Sequence, residues 1–202
     1  MAAPDPHALP TSVDFAHALI ETRVNPGDWV VDATAGNGHD TLFLARLVTP
    51  AGRVFAFDIQ AEAITSTRDR LAAADALSAC TLIHASHHQL ASRLPPEAAG
   101  RLAAIMLNLG WLPGHDKACI TQTDTTLAAV QVALEWLRPG GLLTIVAYPG
   151  HAGGDVESQA IALWASSLPS NSHEVRHLRP ANRQGKSPEC WAIRLRPTGQ
   201  DC

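Results

Sequence analysis

Two carboxylates and a glycine-bearing turn hold the clearest chemistry in this chain. Asp32 closes a short apolar run of Trp29, Val30 and Val31, the turn Gly36-Asn37-Gly38 follows, and an amphipathic stretch begins near His39. Twenty residues past Gly38, a second apolar run ends in Asp58. Glycines let a backbone turn sharply and approach a ligand, and the free N–H groups at the start of the next helix favour a negative group there. A carboxylate at the tip of the second strand can accept hydrogen bonds from both hydroxyls of a ribose. Each half alone has an ordinary explanation, as a βα turn or a helix cap. At this spacing the pair points to a pocket for a nucleotide-like ligand.

The ligand can be narrowed. A nicotinamide fingerprint wants a third glycine three residues after Gly38, and Thr41 stands there. Asp32, at the turn-proximal end of the first strand, instead suits a ligand that carries an ammonium and a sulfonium. S-adenosylmethionine carries both.

These residues need a frame that brings strand ends together. A helix is expected from Thr11 or Ser12, capped by a side-chain oxygen, with Val13, Phe15, Ala16, Leu19 and Ile20 as its apolar stripe. The turn 25–28 leads into a first strand at 29–32, and a helix follows over 39–48. Later strands are expected at 53–57, 80–84, 102–107 and 142–147, with helices at 61–76, 121–137 and 155–168 between and after them. Arg138-Pro-Gly-Gly141 is expected to end the helix at 121–137. Two last strands, near 174–178 and 190–196, flank a basic loop. Alternating strands and helices predict a doubly wound, Rossmann-like α/β sheet of seven strands, mostly parallel, with helices on both faces. In such sheets ligands bind at the carboxyl ends of the strands, where the irregular loops 33–40, 58–60, 85–89, 108–117 and 148–154 all fall.

The 202 residues fit one domain, expected over 11–197 between a mobile lead-in at 1–10 and a short tail at 198–202. With 46% hydrophobic and 17% charged residues the chain is globular, and its apolar runs are too short to cross a bilayer. The N-terminus lacks a basic region followed by an apolar core, so a cytoplasmic protein is expected. Four scattered cysteines fit reduced thiols, and the ten histidines show no metal-ligand spacing, so no metal is expected. The net charge of −4 argues against a protein that coats nucleic acid. Between 174 and 197, however, six cations face Glu174 and Glu189, a local balance of +4 that leaves −8 for the rest. Such a segment is either a solvated face or a phosphate-contacting edge.

Longer motifs add a resemblance. The runs D-A-T-A-G-N-G-H-D-T, F-D-I-Q, H-x-S-H-H, N-L-G-W-L-P-G-x-D-K, Y-P-G-H-x-G-G and N-R-Q-G-K-S-P resemble those of the class I S-adenosylmethionine-dependent methyltransferases labelled rRNA methylases, over nearly all of residues 13–196. The last three motifs are not general methyltransferase features. A branch of that family N-methylates the 5-aminomethyl group of the wobble 2-thiouridine of tRNA. The resemblance therefore implies a methyltransferase acting on the tRNA anticodon stem-loop, alone or as a homodimer.

Residue by residue, the resemblance implies that Asp32, Gly36, Asn37 and Gly38 surround the methionine half of the cofactor, with Asp40 and Thr41 reaching its amino-acid end. Asp58 would hold the ribose, Ile59 and Gln60 would lie by the adenine, and Ser86 and His87 would meet the adenine edge or the ribose. Paired loop histidines such as His87 and His88 are also often just exposed. Asn108 would offer a neutral oxygen that orients an amine N–H without stabilising the unreactive ammonium. Trp111 would stack on an extruded base or else pack into the core. Tyr148, Arg183 and Lys186 would bind substrate, while Asp116, His115 and His151 are candidate proton acceptors. Three rivals remain: an rRNA methyltransferase, a small-molecule amine methyltransferase, and a non-catalytic nucleotide-binding sensor.

Overall fold

Side-chain alternation along the strands decides the architecture. In β1 (Trp29–Asp32), β2 (Arg53–Asp58) and β4 (Leu102–Asn108), neighbouring residues such as Val30 and Val31, or Ala104 and Ile105, are buried on opposite faces of one sheet. A strand buried on both faces reads as a continuous apolar run, which is what these segments show. The computed structural model describes residues 8–110, 121–150, 153–182 and 187–197.

The seven-stranded sheet has the order β3-β2-β1-β4-β5-β7-β6, with β3 at Cys80–His84, β5 at Leu137–Ala147, β6 at His173–Leu178 and β7 at Glu189–Leu195. Strands β1 to β5 pair in parallel, and β7 lies antiparallel between β5 and β6. The seven-stranded, mostly parallel expectation holds. On one face, α1 (Ser12–Glu21), α2 (His39–Val48) and α3 (Ala61–Ala73) bury Ile20, Leu44 and Leu71 against Val30, Val54 and Met106. The short α4 (Leu90–Arg93), α5 (Thr123–Trp136) and α6 (Gly154–Ser167) cover the other face, over Val31, Phe57, Ile105 and Ile145. Among the described residues no helix is long and apolar enough to cross a membrane.

The first helix starts as its sequence indicates. Thr11 and Asp14 form a reciprocal capping box, Thr11 Oγ1 accepting from the Asp14 N–H at 3.2 Å and Asp14 accepting from the Thr11 N–H at 2.8 Å. One expectation needs correction. Helix α5 stops at Trp136, and residues 137–141 belong to β5 rather than to a helix-ending turn. Leu137 pairs with Leu102, the register slips before Ala104 pairs with Leu142, and Arg138 reaches back to Asp28 at 2.6 and 3.0 Å. That ion pair, across 110 residues of chain, has no local sequence signal.

Candidate active site

The carboxyl ends of β1, β2 and β4 open into a cleft of about 630 Å3, well inside the size range of small-molecule sites. One wall is the turn after β1. Gly36 and Gly38 both take positive φ, +54° and +78°, which glycine adopts without steric cost. Gly38 is the N-cap of α2 and offers no side-chain oxygen, so the first N–H groups of that helix are left for other partners.

Asp58 ties this turn to the next one. Its Oδ2 accepts the Gly36 N–H and its Oδ1 the Gln60 N–H, both at 2.9 Å. Each oxygen keeps a lone pair for a ligand hydroxyl. From beneath, α3 clamps the same turn: Thr67 Oγ1 donates to the Gly36 carbonyl at 3.1 Å and Arg70 Nε to the Asn37 carbonyl at 2.6 Å.

Gly36, Asn37, Asp40 and Asp58 line the cleft, as do Ile59 and Gln60. Ser86 and His87 line it beyond β3, and Asn108 and Tyr148 on the side of β4 and β5. Asp32, Gly38 and Thr41 sit below that surface. The Asp32 carboxylate is 1% exposed, accepting from Thr41 Oγ1 at 2.5 Å and from the Thr34 N–H at 3.1 Å. Thr34 Oγ1 in turn accepts the Asn108 N–H at 2.7 Å, so Asp32 braces the floor that joins β1 to β4. Trp111, His115, Asp116, His151, Arg183 and Lys186 lie outside the described residues.

Burial, then the negative charge of Asp40, push the Asp32 carboxyl up from 3.8 to about 7. The folded state therefore holds a proton that the unfolded chain has released. This contribution to stability is full below about pH 4 and lost as pH rises through about 7. In Asp32→Asn it is absent. The melting temperature of the variant minus that of the wild type should climb between pH 4 and 7 and then level off. A difference that stays flat with pH would contradict the assignment.

Four side chains form a hydrogen-bonded row that runs from His17 to the cleft-lining Asp40, Asn108 and Tyr148. His17 Nε2 donates to Asp40 Oδ1 at 2.8 Å, Asn108 Nδ2 donates to Asp40 Oδ2 at 3.3 Å, and the Tyr148 hydroxyl donates to Asn108 Oδ1 at 2.9 Å. Burial and Asp40 raise the Tyr148 pKa, which keeps its hydroxyl protonated as a donor. Asn108 Oδ1 thus already holds one hydrogen bond and has one acceptor site left.

His87 supplies an opening for a ligand. It is 7% exposed and lines the cleft, yet its Nε2 has no hydrogen-bond partner among the described residues. Burial depresses its pKa to about 4, so the ring is neutral and can meet a polar edge without carrying charge. Ile59, apolar and 49% exposed, stands on the same wall and offers a flat ring something to pack on. Thr121 and Gln122, just before α5, and Thr125 in its first turn also line the cleft. Glu157 of α6, itself buried, accepts from Thr121 Oγ1 at 2.9 Å and Thr126 Oγ1 at 2.7 Å.

The family model described as "Putative rRNA methylase" matches residues 54–194. A chloroplastic tRNA (mnm5s2U34)-methyltransferase of Arabidopsis thaliana is 38% identical over 166 residues, which is 78% of this chain and 60% of the relative's own length. The match thus leaves about two fifths of that relative uncovered. Among solved structures, a Clostridium thermocellum protein bearing the rRNA methylase name is 34% identical with a TM-score of 0.88, covering 93% of this chain and 99% of the other. A Streptococcus mutans protein, named as a methyltransferase and solved in complex with SAH, is 29% identical with a TM-score of 0.82 over the same shares. The family match covers more than half of the sequence, including six of the seven strands from β2 to β7, and the chain belongs to the rRNA methylase family.

Proposed function

We propose that the chain is an S-adenosylmethionine-dependent tRNA methyltransferase that N-methylates the 5-aminomethyl group of the wobble 2-thiouridine. The observation that carries this reading is the cleft itself. A nucleoside-binding wall built on Asp58, Ile59 and His87 faces a second wall where Asn108 and Tyr148 present oxygen acceptors. The Arabidopsis relative, named for this nucleoside, supports the choice of substrate.

The residues fit the cofactor. Asp58 holds the ribose hydroxyls with its remaining lone pairs, Ile59 and Gln60 flank the adenine, and the unpartnered His87 Nε2 meets the adenine or ribose edge. The turn at Gly36 and Asn37 and the first turn of α2 receive the amino-acid end, with Asp40 beside it and Asp32 bracing them from below. S-adenosylmethionine supplies a methyl group already activated as a sulfonium, so binding and alignment are what the protein must add. An amine attacks only through its free lone pair. Asn108 Oδ1 accepts one N–H of that neutral amine and points its lone pair into the cleft, and Tyr148 keeps the Asn108 carbonyl from turning.

The substrate side extends along the rim. Because β7 runs antiparallel to both β5 and β6, the end of β6 at Leu178 lies on the same rim as the cleft, followed by the exposed Arg179. Arg183 and Lys186 follow in sequence, and this basic segment assists in binding tRNA phosphates. Trp111 stacks on the presented base, and a proton acceptor comes from Asp116 or His151.

Mass spectrometry of tRNA nucleosides from cells lacking the gene tests the reading. Accumulated 5-aminomethyl-2-thiouridine, converted to its methylated form by the purified protein and S-adenosylmethionine, is the expected result. Normal tRNA alongside an unmethylated rRNA residue would overturn it.

A further inference from the structure

His17 of α1 lies 23 positions before its hydrogen-bond partner Asp40 and outside every glycine-turn motif. Its ring stacks on Phe43 of α2, with centroids 3.9 Å apart and planes 8° from parallel, and this sandwich fixes the ring's direction. In that pose Nε2 meets Asp40 Oδ1 at 2.8 Å. A carboxylate only accepts, so Nε2 must carry the hydrogen. Asp40 is buried, and its other oxygen takes Asn108 Nδ2 at 3.3 Å.

The consequence falls on Asn108. An amide's two ends have nearly the same shape, and only their partners decide which way it points. With Asp40 held as an acceptor on one side, the NH2 end must turn toward it. The carbonyl end then faces Tyr148 and the cleft. Without His17, Asp40 loses its fixed donor and is free to swing, and the preference for one amide orientation weakens.

We propose that His17 is a positioning residue, which acts through Asp40 to hold the Asn108 carbonyl toward the cleft. The proposal rests on the reading of Asn108 as the acceptor for the substrate amine. Two variants separate its parts. His17→Phe keeps a ring to stack on Phe43 and removes the donor, whereas His17→Gln removes the ring and restores an N–H donor at similar reach.

Asn108 side-chain amide signals, identified by their loss in Asn108→Ala, report orientation in the protein alone. The wild type and His17→Gln should each show one well-separated pair, and His17→Phe a shifted or doubled pair. With S-adenosylmethionine and tRNA from cells lacking the gene, His17→Phe should lower kcat about tenfold with KM within about twofold, and His17→Gln should recover most of the loss. In an Asn108→Ala background, His17→Phe should cost nothing more, since the group it orients has gone. Unchanged amide signals in His17→Phe, or a loss that adds in full to that of Asn108→Ala, would overturn the proposal. Wild-type turnover by Asn108→Ala would instead overturn the reading of the site on which it rests, whatever the amide signals show.

Discussion

Asp58→Ala should weaken S-adenosylmethionine binding at least about 100-fold, because the two charge-assisted hydrogen bonds proposed to the ribose would be lost at about 1.5 kcal/mol or more each. The same carboxylate holds the Gly36 and Gln60 N–H groups, so its removal also loosens the two turns that shape the cleft. Asp58→Asn should rescue little. Both of its positions receive an N–H from the backbone, and an amide would set its own NH2 against one of them. The tyrosine and asparagine on the opposite wall are untouched by either change. Calorimetric titration of wild type and both variants, with melting temperatures taken in parallel, checks this. Binding by Asp58→Ala within about threefold of wild type would remove Asp58 from the ribose site.

Asp58 also shows how much of this candidate site is legible in the sequence. Its position after an apolar run, and its distance from Gly38, are local facts of the sequence. So are the cap at Thr11, the strand at 29–32 and the helix start at His39, and all of these reappear in the structure. The positions of the strands followed from the same alternation, since each buried parallel strand leaves an apolar run and each crossover helix a stripe, whereas their order in the sheet is given by the structure alone. Local reading failed where a side chain answers to a distant one. Arg138, which pairs with Asp28, lies within residues 137–141, which were expected as a helix-ending turn and are strand. Thr67 and Arg70 sit in an ordinary helix and reach back more than thirty residues to the glycine turn. His17 resembles any half-exposed helix histidine until Asp40 is seen beside it.

Buried acids were hidden for the same reason. Glu157 holds two threonines at the start of α5, and Glu189 holds Ser158, His177 at 2.8 Å and Trp191 at 3.3 Å. In the sequence each is a charge that could as well face water. Only packing shows that hydroxyl and ring N–H donors compensate their burial, as a carboxylate away from solvent requires. The fold was therefore legible from periodicity, and the half of the site built on chain-local turns with it. The half built on cross-chain hydrogen bonds was not.

Gly38→Ala is expected to be the most destabilising single change in the site. A β-carbon there would lie 2.8 Å from the Thr67 Cα, and 3.0 and 3.1 Å from its Oγ1 and Cγ2. The nearest of these atoms is backbone, so trimming Thr67 cannot make room: Thr67→Ala/Gly38→Ala should be no more stable than Gly38→Ala alone. The φ of +78° adds a cost of about 1–2 kcal/mol for any residue with a β-carbon. Relief of the clash requires α3 to move from the turn, which would break the Thr67 and Arg70 hydrogen bonds to the Gly36 and Asn37 carbonyls. Together these losses amount to about 3 kcal/mol, or a fall in melting temperature of roughly 6–12 °C for a domain of this size. Because the displaced carbonyls and the Gly36 N–H bonded to Asp58 belong to one turn, cofactor affinity should fall along with stability. Gly100→Ala serves as the comparison. It shares a positive φ of +67° but meets nothing within 4 Å, so it should show the conformational cost alone and leave cofactor affinity unchanged. Equal melting temperatures for the two variants would mean that α3 yields to the extra methyl without resistance, and that the clamp on the glycine turn is not what holds it in place.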